Sequence, residues 1–150
     1  MNEIAKGRKF FLSKVEQFSS GDSLRFAPVV DELIQWSRDN GLEFVPNTGV
    51  NKLLTFSIPG TGMAFWVVTP LVGDGAKIAL LGDPKFPEPL RSEARNELAE
   101  IGKKKALAKS IPELAFAKLI WAPYRAQILT LMTRLLKEVQ NPVPECIAAA

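Results

Sequence analysis

Residues 53–73 (LLTFSIPGTGMAFWVVTPLVG) carry no charged side chain, although charged residues make up 23% of the chain. The segment is long enough for a membrane helix, which needs about 20 apolar residues. Its middle, however, is interrupted by Pro59, Gly60 and Gly62, and hydroxyl side chains are spread along it. The segment therefore predicts the interior of a soluble domain rather than a membrane span.

The apolar residues before this interruption have the spacing of a β-strand. Leu54, Phe56 and Ile58 alternate with Thr55 and Ser57. This is the two-residue period of a strand with one buried face.

The residues after the interruption also indicate a strand. Strict alternation would place Phe65 and Val67 on one face and Trp66 and Val68 on the other. Because apolar side chains then occupy both faces, we expect both faces to be at least partly covered. β-Branched and aromatic residues are enriched here, as is typical of a pleated surface.

Turn residues join these strands into an antiparallel meander. PGTG at 59–62 and the Asp74-Gly75 pair are typical of tight turns, which predicts strands at 51–58, 63–70 and 76–82. A short fourth strand at 42–45 would be confined to an edge by Pro46. GTG in the first turn lacks the rest of a phosphate-binding motif and a following helix, so a nucleotide site is not favoured.

Helical periodicity predicts two helices before the strands. In the first, apolar residues form one stripe, and SSGD at 19–22 ends it. The second spans 28–40, because Pro28 suits the first position of a helix and Asn40-Gly41 suits its end.

Three helices are predicted after the strands. The first spans 89–101, and the second begins at the capping box SIPE at 110–113. The third spans 123–140, since Pro123 favours a break at Ala122. The sequence thus predicts an α+β protein with a single domain at 1–140 and a loose tail at 141–150.

The chain contains no histidine, and its one cysteine is Cys146. This composition excludes histidine-based nucleophile systems and histidine metal sites, and a disulfide within the chain. We therefore expect no catalytic residues, metal or cofactor, although an enzyme that uses carboxylates or the single tyrosine, Tyr124, is an alternative. The lone cysteine and the lack of a secretory signal pattern predict a cytoplasmic protein.

The segment 91–109 has six cationic side chains against three carboxylates, an excess equal to the net charge of +3 of the whole chain. Such a segment can bind the phosphates of a nucleic acid. The simpler interpretation, a solvated helix end that complements the helix dipole, is favoured. The candidate nucleic-acid-binding residues are Arg91, Arg95, Lys103, Lys104, Lys105 and Lys109.

The predicted helices and strands have more apolar surface than is needed to pack three strands against their helices. This indicates a binding function, through a protein partner or, most simply, a homodimer. The candidate interface residues are Trp66 and Val68 in the second predicted strand, and Leu131 and Leu135 in the last helix.

Overall fold

The computed structural model describes residues 3–18, 22–46, 54–70, 76–102, 112–116 and 121–140, and only the backbone at 22–25, 113–116 and 121–123. The remaining residues, including the predicted tail at 141–150, lie outside the described part. In chain order the elements are α1 (Glu3–Phe18), α2 (Asp22–Asp39), β1 (Glu43–Phe44), β2 (Leu54–Ser57), β3 (Ala64–Pro70), β4 (Ala76–Leu80), α3 (Glu88–Gly102), β5 (Glu113–Phe116) and α4 (Trp121–Gln140).

The strands form one antiparallel sheet in the order β1-β2-β3-β4-β5. The predicted α+β class and the meander of β2, β3 and β4 are confirmed. The short strand predicted at 42–45 is confirmed as β1, which lies at the edge of the sheet.

The helix predicted to begin at the capping box is wrong, because Glu113–Phe116 forms β5 instead. Ser110 lies outside the described residues. A capping box is a local pattern, whereas β5 pairs with most of β4, from Ala76 opposite Phe116 to Ala79 opposite Glu113. That pairing provides hydrogen-bond partners for the backbone groups on the edge of β4 that does not pair with β3. Only two described helices, α3 and α4, therefore follow the meander.

Prolines did not mark the helix boundaries as predicted. Helix α2 begins at Asp22 and contains Pro28 on its exposed side. Proline has no backbone N–H, so one carbonyl of the preceding turn lacks its helical hydrogen bond, and on this side water can hydrate it. Helix α4 begins at Trp121 without a break at Ala122. Pro123 is in its first turn, where a helix has no use for a backbone N–H.

A bulge in β3 breaks the predicted alternation. Phe56 pairs with Trp66 but Ser57 pairs with Ala64, so Phe65 is an extra residue in β3. Phe65 and Trp66 are both fully buried, and both contact α2. The ring of Phe65 stacks on Trp36, with 5.9 Å between centroids, and Trp66 hydrogen-bonds to the next residue of α2, Ser37. The bulge thus turns two adjacent aromatic side chains toward the same helix.

All four helices share one hydrophobic core with one face of the sheet. The buried cluster includes Phe11 of α1, Leu33 of α2, Leu98 of α3 and Met132 of α4. Besides Phe65, the strand residues in that cluster alternate along each strand: Leu54, Phe56, Trp66, Val68, Ala76, Ile78 and Leu80. The described part is therefore a two-layer structure with its helices on one side of the sheet.

Side-chain contacts give the order of the helices in their layer as α1-α2-α4-α3. Arg8 of α1 donates two hydrogen bonds to Asp31 of α2, at 2.6 and 3.2 Å. Arg125 of α4 pairs with Glu32 of α2. Arg134 of α4 pairs with two carboxylates of α3. Helix α1 can lie close to the sheet because Gly7 has no side chain, and a Cβ there would be 2.6 Å from the ring of Phe44.

The contact between Trp66 and Ser37 joins α2 to the centre of the sheet. Trp66 Nε1 donates to Ser37 Oγ at 2.7 Å, and Ser37 Oγ donates to the Leu33 carbonyl at 2.8 Å. Neither residue is exposed. A buried donor that loses its acceptor cannot recover a bond to water, so this pair is costly to break.

Replacing Ser37 by alanine should lower the free energy of unfolding by about 1–3 kcal/mol, because the buried indole N–H is left without an acceptor. Urea denaturation measures the loss, and Ser13→Ala on the exposed side of α1 is the matched control, expected to change stability by less than about 0.5 kcal/mol. In a Trp66→Phe background, Ser37→Ala should cost less, since no donor remains. An equal cost in both backgrounds would contradict this role.

Candidate functional site

The face of the sheet opposite the helices is formed by short side chains. Thr55, Val67 and Ala79 pair directly across β2, β3 and β4, and Thr69 pairs with Lys77 in the neighbouring row. All five are half-buried, whereas their neighbours along each strand are fully buried under the helices. None of the four helices shares its core with these positions.

This open face is unusually poor in charge for a surface in contact with water. Antiparallel sheets with one solvated face normally carry polar residues there. Here the central row is threonine, valine and alanine across β2, β3 and β4, and Lys77 is the one charged side chain among these five positions. In β5 the next position of the central row, opposite Ala79, is Glu113 at the edge of the sheet. A surface so poor in charge is a candidate for contact with another molecule.

The four predicted interface residues lie inside the chain's own core. Trp66 and Leu135 are 0% exposed, and Val68 and Leu131 are 3% exposed. Each packs in the layer between the sheet and the helices of its own chain, where little of its surface is accessible. Val67, between two of the predicted residues, is the one that faces away from the helices.

The two arginines of the basic segment are committed to contacts within the fold. Arg91 Nε donates to the Leu81 carbonyl at 3.0 Å, and it holds the turn after β4, where Leu81 has a left-handed backbone with φ of 50°. Arg95 is 7% exposed and pairs with Glu88. The predicted nucleic-acid contact therefore depends on the four lysines Lys103, Lys104, Lys105 and Lys109, which lie outside the described residues.

The carboxylates and the tyrosine named for an enzyme are distributed along the helices. Glu93 and Glu97 pair with Arg134, at 3.0 and 3.6 Å. Tyr124 is half-buried and packs against the core. Within the described ranges, no three Asp, Glu or Cys side chains are grouped so that they could hold a metal ion.

A second candidate site is a cavity of about 300 Å³ at one end of the helix layer. The β2–β3 turn, the start of α3 and the end of α4 meet there. Its lining is mostly apolar and includes one carboxyl group, that of Glu138: Ile58, Thr61, Met63, Phe86, Pro87, Leu90, Glu138 and Val139.

The environment of Glu138 favours its protonated form. Burial of the carboxyl raises the pKa of Glu138, and the negative charge of Glu93 and a hydrogen bond with it raise the pKa further, while Arg134 opposes the shift. Its Oε2 atom is buried and has no hydrogen-bond partner among the described residues. A titratable group with a raised pKa at the wall of an apolar cavity is a common feature of binding sites.

In the described part of the chain, no helix has the length and apolar content needed to cross a membrane. Comparisons with protein-family models, with curated proteins and with solved structures found no match to this chain. Its function must therefore be argued from the two surfaces above.

Sequence reasoning missed both of these sites. The alternation in the strands indicates which residues share a face, but it does not show which face the helices cover. The bulge that buries Phe65 beside Trp66 is not visible in the sequence either. Glu138 lies in an ordinary amphipathic helix, and its partner Glu93 is 45 positions earlier in the sequence. No pattern in the sequence brings those two carboxyls together.

Replacing Glu138 by glutamine should stabilise the protein at neutral pH and leave its stability nearly unchanged at about pH 4. Because the pKa of Glu138 is higher in the folded chain than in the unfolded chain, protonation of this carboxyl favours the folded state. That stabilisation is complete below the ordinary pKa of glutamate and is lost as the pH rises through the raised pKa. The gain at about pH 7.5 should not exceed about 1 kcal/mol, because solvent reaches part of the side chain.

Urea denaturation at both pH values measures this difference. Glu97→Gln is the matched control, since it removes the same charge from the neighbourhood of Arg134 without changing the cavity wall. A Glu138→Gln variant that is destabilised equally at both pH values would contradict the role of burial.

Proposed function

We propose that this chain is a non-catalytic interaction domain that self-associates as a homodimer through the open face of its sheet. The observation that carries the proposal is the row Thr55, Val67 and Ala79, which is short, uncharged and outside the helical core. The single cysteine suits a reducing compartment, so the proposal places the protein in the cytoplasm.

A second copy fits this face better than a helix or a charged partner does. Sheets pack face to face about 10 Å apart with their strands nearly aligned, and short side chains permit that spacing. A two-fold axis running across the strands would set the two Lys77 side chains at opposite ends of the contact, which avoids repulsion between them. The dimer would then have four layers, with helices outside and two sheets inside.

The size of the face sets the expected strength of the dimer. Five strands about 4.8 Å apart, with lengths from about 7 Å for β1 to about 23 Å for β3, give a plane of roughly 350–400 Å² per copy. The two copies together would bury roughly 700–800 Å², which is below the area of about 1,000 Å² that a specific interface usually exceeds. We therefore expect a weak dimer that dissociates in the high micromolar range.

Light scattering over a range of micromolar concentrations should show a mass that rises from that of the 16.5 kDa chain toward twice that value. Val67→Lys places a charge at the centre of the face and should leave only monomer, because a buried unpaired charge is costly. Ala126→Lys is the matched control: Ala126 is exposed on α4, in the helix layer on the other side of the sheet, and its replacement should leave the dimer intact.

Two results would contradict the proposal. A monomeric mass at every concentration up to about 1 mM would exclude self-association of any practical strength. A dimer that survives Val67→Lys would place the interface elsewhere on the chain. The fold of each variant is checked by its cooperative unfolding in urea.

A further inference from the structure

We propose that the cavity beside Glu138 binds a small molecule with an apolar body and one amino group. The cavity lies between the β2–β3 turn, α3 and α4, whereas the proposed dimer uses the opposite face of the sheet. The ligand site therefore does not depend on the homodimer, and either proposal can fail alone.

The walls of the cavity suit an apolar body of modest size. Six of its lining residues are apolar or proline, and two of these, Ile58 and Met63, belong to the segment that connects β2 and β3. Phe86 is 2% exposed and closes the inner wall. A volume of about 300 Å³ is at the small end of ligand pockets, which favours a single ring or a short chain over a nucleotide.

The polar group that would orient the ligand is the Glu138 carboxyl. Its Oε2 has no partner among the described residues, although buried polar atoms in folded proteins almost always have one. The terminal torsion of glutamate is soft, so a small rotation can turn that oxygen toward the cavity. An ammonium group would supply the missing donor, because it offers three N–H bonds and no acceptor.

The surrounding charges favour a cation over an anion. Arg134 is held by Glu93 and Glu97, and Arg91 and Arg95 are both paired with Glu88. The remaining carboxyl, Glu138, is adjacent to Glu93. No lining residue of the cavity is cationic. A bound ammonium would relieve the repulsion between Glu138 and Glu93, whereas a ligand carboxylate would add to it.

The test uses phenethylamine as the probe and phenethyl alcohol as its neutral counterpart of similar shape. Each is titrated into the full-length ¹⁵N-labelled protein, and amide shifts are followed by NMR. We expect the amine to bind with about millimolar affinity and to shift the amides of Ile58, Met63, Leu90 and Val139. The alcohol should bind at least about tenfold more weakly, since it lacks the charge-assisted hydrogen bond.

Three variants separate the carboxylate from the cavity. Glu138→Gln should weaken amine binding about tenfold or more and leave the alcohol unchanged. Glu97→Gln, which removes a charge outside the cavity, should change neither. Met63→Trp, which fills the cavity from its rim, should abolish both.

Equal affinity for amine and alcohol, or amine binding that survives Glu138→Gln, would overturn the proposal. So would shifts confined to other parts of the protein, or the absence of shifts with both probes at about 20 mM. The amide spectrum reports folding in every titration, so loss of the fold in one variant is recognised directly and the other variants decide the result.

Discussion

Trp66 packs under helix α2 and sets the position of that helix over the sheet. The indole is fully buried, it stacks on Phe56 with 5.2 Å between ring centroids, and its N–H is bonded to Ser37. Because aromatic stacking and a buried hydrogen bond both require a defined orientation, α2 can take only one position over the sheet. The bulge at Phe65 strengthens this contact by directing a second ring to the same helix.

Helices α1 and α4 are positioned by contacts with α2, and α3 by its contacts with α4. Helix α1 and helix α4 lie on either side of α2, and an ion pair crosses each junction. Exposed ion pairs of this kind contribute little stability. They specify which helix lies on which side of α2, since Asp31 pairs with an arginine of α1 and the adjacent Glu32 with an arginine of α4. The hydrophobic core supplies most of the stabilising free energy, through burial of apolar surface.

A helix layer on one side leaves two features that the core does not explain. One is the open face of the sheet around Val67, and the other is the cavity beside Glu138. The open face is the side of the sheet that lies outside the helical core. The cavity lies where the β2–β3 turn, the start of α3 and the end of α4 meet. They differ in chemistry, because the first is flat, with a central row of threonine, valine and alanine, and the second is concave and mostly apolar with a single carboxyl. This difference is why we assign a protein contact to the first and a small molecule to the second.

The meander can be derived from the sequence, because the period of two in residues 54–58 and the turn-forming residue types at 59–62 and 74–75 are local patterns with a local physical cause. The sequence also shows that catalysis by histidine is absent, since a chain without this residue lacks the usual general base near neutral pH. The strand at 113–116, the burial of Trp66, Val68, Leu131 and Leu135 within the core, and the outward side of Val67 could be seen only in the folded structure. Alternation correctly places Trp66 and Val68 on one face and Val67 on the other, but what covers each face depends on contacts between residues far apart in the sequence. The extra residue in β3 likewise puts Phe65 on the same buried side as Trp66.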